Sequence, residues 1–172
     1  MKPVLGLLAI AMLMPVAAVA QTPDPQHRML TGLAGAWDVK QSLWLAPAKD
    51  PKIDSGTADF AMVLNGRHLR QTLRIADGTG FEGLGYIGFD GGAFFTTWMD
   101  VNFPGMVLAR GDCDLNTPAC TFSGEMAMPG GPAMPVRETL TITDPAHMRY
   151  EFYETRGGVE ALAVRLDYSR TK

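Results

Sequence analysis

The chain has 172 residues, a formal net charge of −3 and no run of basic residues. A mildly acidic chain without a basic cluster is not built to neutralise phosphates, so nucleic acid is not expected as a partner. Beyond the N-terminus no stretch is apolar and long enough to cross a bilayer.

Lys2 opens the sequence, Val4–Val19 is an apolar run, and Ala18-Val19-Ala20 has the small-residue pattern of a cleavage site. These features predict a secretory signal peptide over residues 1–20, cut after Ala20. An uncleaved anchor is the alternative, but the run is short for a span. No cysteine follows it, so a lipid anchor is not expected. Residues 21–172 are the size of one domain. The expected location is periplasmic or secreted, with no stable membrane insertion after cleavage.

Pro23 and Pro25 start the mature chain as an extended tail. His27–Leu33 suits one or two helical turns. From Gly35 to about Leu45 the residues alternate, with Trp37, Val39, Gln41, Leu43 and Leu45 on one face, as in a half-buried strand. Pro47–Asp54 reads as a polar loop and Thr57–Leu64 as a strand. Asn65-Gly66 is a strong hairpin signal. Arg67–Ile75 follows as a strand, and Asp77-Gly78 turns the chain again.

Phe81–Asp100 reads as a hairpin about the turn Asp90-Gly91-Gly92, where aspartate and glycine tolerate positive φ. Phe81, Gly83, Gly85, Ile87 and Phe89 share one face of its first arm; Glu82, Leu84, Tyr86 and Gly88 share the other. Phe94, Thr96, Trp98 and Asp100 share one face of the second arm. Later strands are expected at Met106–Arg110, Thr121–Met126, Val136–Ile142, Met148–Glu154 and Glu160–Ser169. Met128–Pro135, rich in proline and glycine, is a loop.

Cys113 and Cys120 flank a segment with Asn116 and Pro118, which suits a turn. In an oxidising compartment they are expected to form a disulfide that staples a surface hairpin. A thiolate metal or redox site is the alternative, but the spacing is longer than Cys-x-x-Cys.

About ten short antiparallel strands with frequent turn signals and almost no helix indicate an all-β sandwich or an up-and-down barrel. Closure removes exposed edges. A barrel of eight strands can already hold one small ligand, and ten widen it.

Gly35-x-Trp37 after a short helical segment resembles the opening motif of lipocalin-like (calycin) barrels. The resemblance implies that Trp37 packs across the barrel base against a basic residue of the last strand, the part Arg170 would take. Leu33-Ala34-Gly35-Ala36-Trp37, Gly56-Thr57, Asn65-Gly66-Arg67, Phe81-Glu82-Gly83, Gly88-Phe89-Asp90, Trp98-Met99-Asp100, Arg137, Glu151-Phe152-Tyr153 and Tyr168-Ser169-Arg170 follow in order along the mature chain. In these motifs the chain resembles the bacterial domain-of-unknown-function family DUF1579. This resemblance implies a calycin-like barrel and supplies no catalytic residues.

Three groups of residues compete for a functional role. Glu82, Asp100, Arg137, Glu151 and Tyr153, with Gln41, would form a polar ligand site if they face the lumen, where an arginine among carboxylates can hold an anionic or hydrogen-bonding head. On a wet face they would be ordinary cross-strand pairs. Periodicity is awkward for a lumenal Arg137, since Val136, Leu140 and Ile142 are its strand's apolar face. Trp37, Phe60, Met62, Tyr86, Trp98, Met99, Met106 and Phe122 would line an apolar cavity or fill a core. Met126, Met128 and Met134 are soft donors of the kind that bind Cu(I), with loop packing the plainer reading. His27, His68 and His147 show no paired spacing, so no metal or haem is assigned and no cofactor is expected.

The expectation is a barrel that binds a small hydrophobic or amphipathic molecule without catalysis. Phe60, Tyr86 and Trp98 give it apolar contact; Glu82, Asp100 and Arg137 orient it, and Glu151 and Tyr153 complete the binding set. The alternatives are an enzyme using Glu82, Asp100, Arg137 and Glu151, and a filled barrel acting through its surface.

Overall fold

The computed structural model describes residues 24–47, 49–117 and 119–172. The expected signal segment and its cleavage point lie outside them. Among the described residues, one helix, α1 (Pro25–Leu33), precedes ten strands: β1 (Gly35–Leu43), β2 (Lys52–Val63), β3 (His68–Ile75), β4 (Phe81–Phe89), β5 (Phe94–Asp100), β6 (Phe103–Asp114), β7 (Ala119–Met126), β8 (Met134–Asp144), β9 (His147–Arg156) and β10 (Val159–Arg170). Each pairs antiparallel with its sequence neighbours, and β10 closes on β1 to complete the barrel. Every strand edge is thereby used.

Several boundaries differ from the sequence reading, among them three strand starts. Lys52–Asp54, expected in a loop, is strand, because Lys52 and Asp54 pair with Leu43 and Gln41 along the whole of β1. β6 starts at Phe103, which pairs with Asp100 across a register shift. β8 starts at Met134, opposite Met126. In each case an existing neighbour offers backbone partners beyond the local periodic pattern.

Helix α1 starts where Asp24 Oδ1 accepts from the His27 N–H at 2.9 Å. Pro25 occupies its first turn, where a missing N–H costs nothing. Its Leu30 and Leu33 are buried in the core, and it packs against β2, β3 and β4. The Trp37 indole N–H donates to the Leu33 carbonyl at 3.0 Å. The Arg170 guanidinium lies 4.2 Å from the Trp37 ring centre and donates to the carbonyls of Ala34 at 2.8 Å and Gly32 at 2.9 Å. Gly35 makes this possible. Its φ is +136°, and a Cβ there would fall 2.5 Å from Arg170 Nη1. Trp37, Phe60 and Tyr168 meet edge to face, with centroids 5.7 to 6.4 Å apart. This trio and α1 form the floor of the barrel.

Cys113 and Cys120 are cross-strand partners and are joined by a disulfide. As expected, the bond staples the β6–β7 hairpin at its exposed turn, but its side chains point inward rather than to solvent. Both residues share the inward row of β6 and β7, and Cys120 is part of the core at the α1 end.

Candidate functional site

Side-chain parity decides what reaches the lumen. On β5, Thr96, Trp98 and Asp100 lie opposite Ile87, Gly85 and Gly83 of β4. The Trp98 indole lies over the two glycines: a Cβ on Gly83 would sit 2.1 Å from Trp98 Cζ2, and one on Gly85 2.9 Å from Cε3. Only glycine leaves room for the ring to lie flat on β4. Trp98 Nε1 donates to Asp100 Oδ2 at 2.9 Å, and Asp100 Oδ1 accepts from the Asn102 N–H at 2.8 Å. The ring and carboxylate are therefore held together.

Deeper in, Glu138 of β8 is only 2% exposed. Thr96 Oγ1 donates to its Oε2 at 2.7 Å, and the Tyr150 hydroxyl is its second hydrogen-bond partner. Burial pushes the Glu138 carboxyl up from 4.5 to about 7, the two hydrogen bonds offsetting only part of that rise. Burial and the adjacent carboxyl also push the Tyr150 hydroxyl well above its ordinary range. Near the floor, Gln71 Nε2 donates to the Tyr168 hydroxyl at 2.8 Å.

These groups border a cavity of about 410 Å³ whose wall is mostly apolar. It runs from the Phe60–Tyr168 floor past Leu73, Val107, Leu140 and Leu166 to the turn residues Asp77 and Asn102 at the other end. Its acidic lining residues are Asp77, Asp100, Glu138 and Glu154; among the described residues, no Lys, Arg or His lines it.

The residues singled out from sequence are divided by the wall. Phe60, Trp98 and Asp100 line the cavity, with Gln41, Phe122 and Met126. Tyr86 also borders it, but shares its strand parity with Glu82 and lies opposite Arg70 and Thr97 in the outer row. Glu82, Arg137, Glu151 and Tyr153 do not line it. Glu82 accepts from Arg74 at 2.9 Å on the outside. Arg137 pairs with Glu160 at 2.8 Å and lies 3.8 Å over the Tyr153 ring. The Tyr153 hydroxyl donates to Glu151 at 2.8 Å, and Glu151 also accepts from Arg165. The expected lumenal Arg137, grouped with Glu82 and Asp100, is thus corrected: the apolar row Val136, Leu140 and Ile142 points inward, as parity favours. Arg137 and Glu160 hold each other in the charged form, so neither has reason to enter an apolar lumen.

Glu138 is the residue that the sequence reading passed over. Its signal was present, as one carboxylate in the row Val136-x-Glu138-x-Leu140-x-Ile142. A charge in an otherwise buried row is the informative anomaly. Of the methionines, Met126 lines the cavity and Met128 is exposed. His27 bonds Asp24, His147 bonds Asp144, and His68 packs on Phe95. Among the described residues, no group of three or more His, Cys, Asp or Glu is placed to hold a metal ion.

The profile of the family described as "Protein of unknown function (DUF1579)" matches residues 22–170. The chain belongs to this family. No curated protein matches it. Among solved structures, this DUF1579 barrel is similar to a redesigned beta barrel, at 14% identity and a TM-score of 0.42, over 84% of this chain and 96% of the other. It is also similar to EF1p2_mFAP2b bound to DFHBI, at 11% identity and a TM-score of 0.45, over 85% of this chain and 99% of the other.

Proposed function

We propose that the protein binds a small, largely apolar molecule in the barrel lumen, without transforming it. The observation that carries this reading is the cavity of about 410 Å³, closed at the floor and apolar along its walls, with Glu138, Thr96 and Tyr150 converging inside it. Concave apolar sites with a few placed polar groups are the usual form of small-molecule sites. Phe60 and Trp98 supply apolar contact, Glu138 orients the ligand, and Asp100 stands near the entrance. Glu82, Arg137, Glu151 and Tyr153 keep the outer wall polar, as suits a barrel exported to the periplasm or medium after a cut behind Ala20. No helix among the described residues is long and apolar enough to cross a membrane.

Native mass spectrometry of protein purified from its own periplasm tests the reading. A retained small-molecule mass is expected, lost on denaturation. Apoprotein alone, together with no uptake of the neutral dye N-phenyl-1-naphthylamine, sinks it. One observation favours a second reading. A buried carboxyl in a cleft that ionises at about 7 is suited to general acid–base work. Catalysis would then run through Glu138, since the cluster of Glu82, Asp100, Arg137 and Glu151 is split by the barrel wall. Recovery of a chemically altered molecule from incubations with the wild type, but not with Glu138→Gln, would favour that reading.

A further inference from the structure

Building on the lumen-binding reading, we infer that the ligand is a cation, an apolar molecule carrying a protonated amine that docks on Glu138. Three features converge on this class. The first is the sign of the wall. Asp77, Asp100, Glu138 and Glu154 all line the cavity, and no basic side chain among the described residues lines it. An enclosed apolar site lined by one sign of charge focuses its field on the opposite sign. A carboxylate ligand would meet Glu138 without a counter-charge, a costly arrangement in a desolvated site.

The second feature is the state of Glu138. At the rim, Arg156 pairs with Glu154, and Asp77 is held by Thr79 at 2.8 Å. Glu138 has only hydroxyl partners, Thr96 and Tyr150, and no ion pair among the described residues. An ionised carboxylate offers about four acceptor positions, so two remain for a donor from the lumen. The third feature is the aromatic lining. Trp98 is laid flat by Gly83 and Gly85 while bordering the cavity, and Phe60, Phe122 and Tyr150 also line it. Such faces attract cations within about 6 Å of a ring centre.

The test titrates three probes with one apolar chain, decylamine, 1-decanol and decanoate, at pH 8 and below micelle formation. Displacement of N-phenyl-1-naphthylamine and calorimetry follow the binding. Decylamine is expected to bind at least tenfold more tightly than 1-decanol, with decanoate weakest. Glu138→Gln is expected to weaken decylamine roughly tenfold to a hundredfold, the loss of one charge-assisted partner, and to leave 1-decanol within twofold. Glu125→Gln, exposed on the outer wall, should leave all three unchanged. Far-UV circular dichroism confirms that each variant is folded. Equal binding of decylamine and 1-decanol overturns the cation inference and leaves the lumen reading standing. A decylamine preference that survives in Glu138→Gln overturns the assignment to Glu138. If neither the dye nor any probe binds, the lumen reading falls and takes this inference with it.

Discussion

Glu138→Gln should make the protein more stable at pH 8 and leave its stability near pH 4 almost unchanged. In the folded barrel the Glu138 carboxyl ionises at about 7, against an ordinary 4.5, and burial is the main cause. Its folded value lies above its unfolded one. Its contribution to stability is therefore intact below about 4.5 and is lost as pH rises through 7. At 1.36 kcal/mol per pH unit, the rise from 4.5 to about 7 corresponds to about 3 kcal/mol. Glutamine keeps the shape, can still accept from Thr96, and never charges. Urea unfolding of both proteins from pH 4 to 8.5 measures the difference. Asp24, Asp77, Asp90, Asp114, Asp144 and Glu160 are held below the usual carboxylate range by hydrogen bonds, and they lose their contribution as pH falls. They are common to both proteins and cancel in the difference. The expected result is two curves that coincide within about 1 kcal/mol near pH 4 and diverge by about 3 kcal/mol above pH 7. A gap independent of pH, or a wild type that is the more stable at pH 8, refutes the reasoning. A barrel that keeps a carboxylate at such a cost is consistent with a ligand that needs it.

Three further outcomes are expected. Gly83→Ala puts a methyl group 2.1 Å from Trp98 Cζ2; overpacking there should cost about 1–3 kcal/mol, shift the tryptophan emission and weaken dye uptake, and unaltered emission with unaltered stability would contradict the flat seat. Arg137→Ala removes a partly exposed pair with Glu160 and the stack on Tyr153, so urea unfolding should register no more than about 1 kcal/mol, whereas a loss of 3–5 kcal/mol would mark a buried charge. Reducing Cys113–Cys120 should cost about 2.5 kcal/mol on the loop-entropy view, and two thiols alkylated without reductant would show that the bond is not formed.

Alternation and turn chemistry were enough to place the strands in this chain. Trp37 to Leu43, Phe81 to Phe89 and Phe94 to Asp100 carry a period of two, and Asn65-Gly66 and Asp90-Gly91 mark where the chain reverses. Those are local properties, and they survived because closure gave each strand the neighbours its pattern required. The base packed by Arg170 was implied by the resemblance of Gly35-x-Trp37 to the calycin opening motif, and the structure shows why glycine stands at that tight backbone position. The inside of the barrel was a different matter. Trp98 and Asp100 were grouped correctly because they share one strand face, but Arg137, Glu82, Glu151 and Tyr153 were assembled across strands, where sequence supplies no common parity. A shift of one residue exchanges Arg137 for Glu138, and with it an outer ion pair for a buried acid. The disulfide was read from spacing and compartment; that it faces inward followed from Cys113 and Cys120 sharing the rows of Gly111 and Phe122. Which face of each strand meets the lumen depends on pairings between residues as distant as Trp37 and Arg170. Only the closed sheet sets those registers together, and so only the tertiary structure could bring Thr96, Glu138 and Tyr150 to one point.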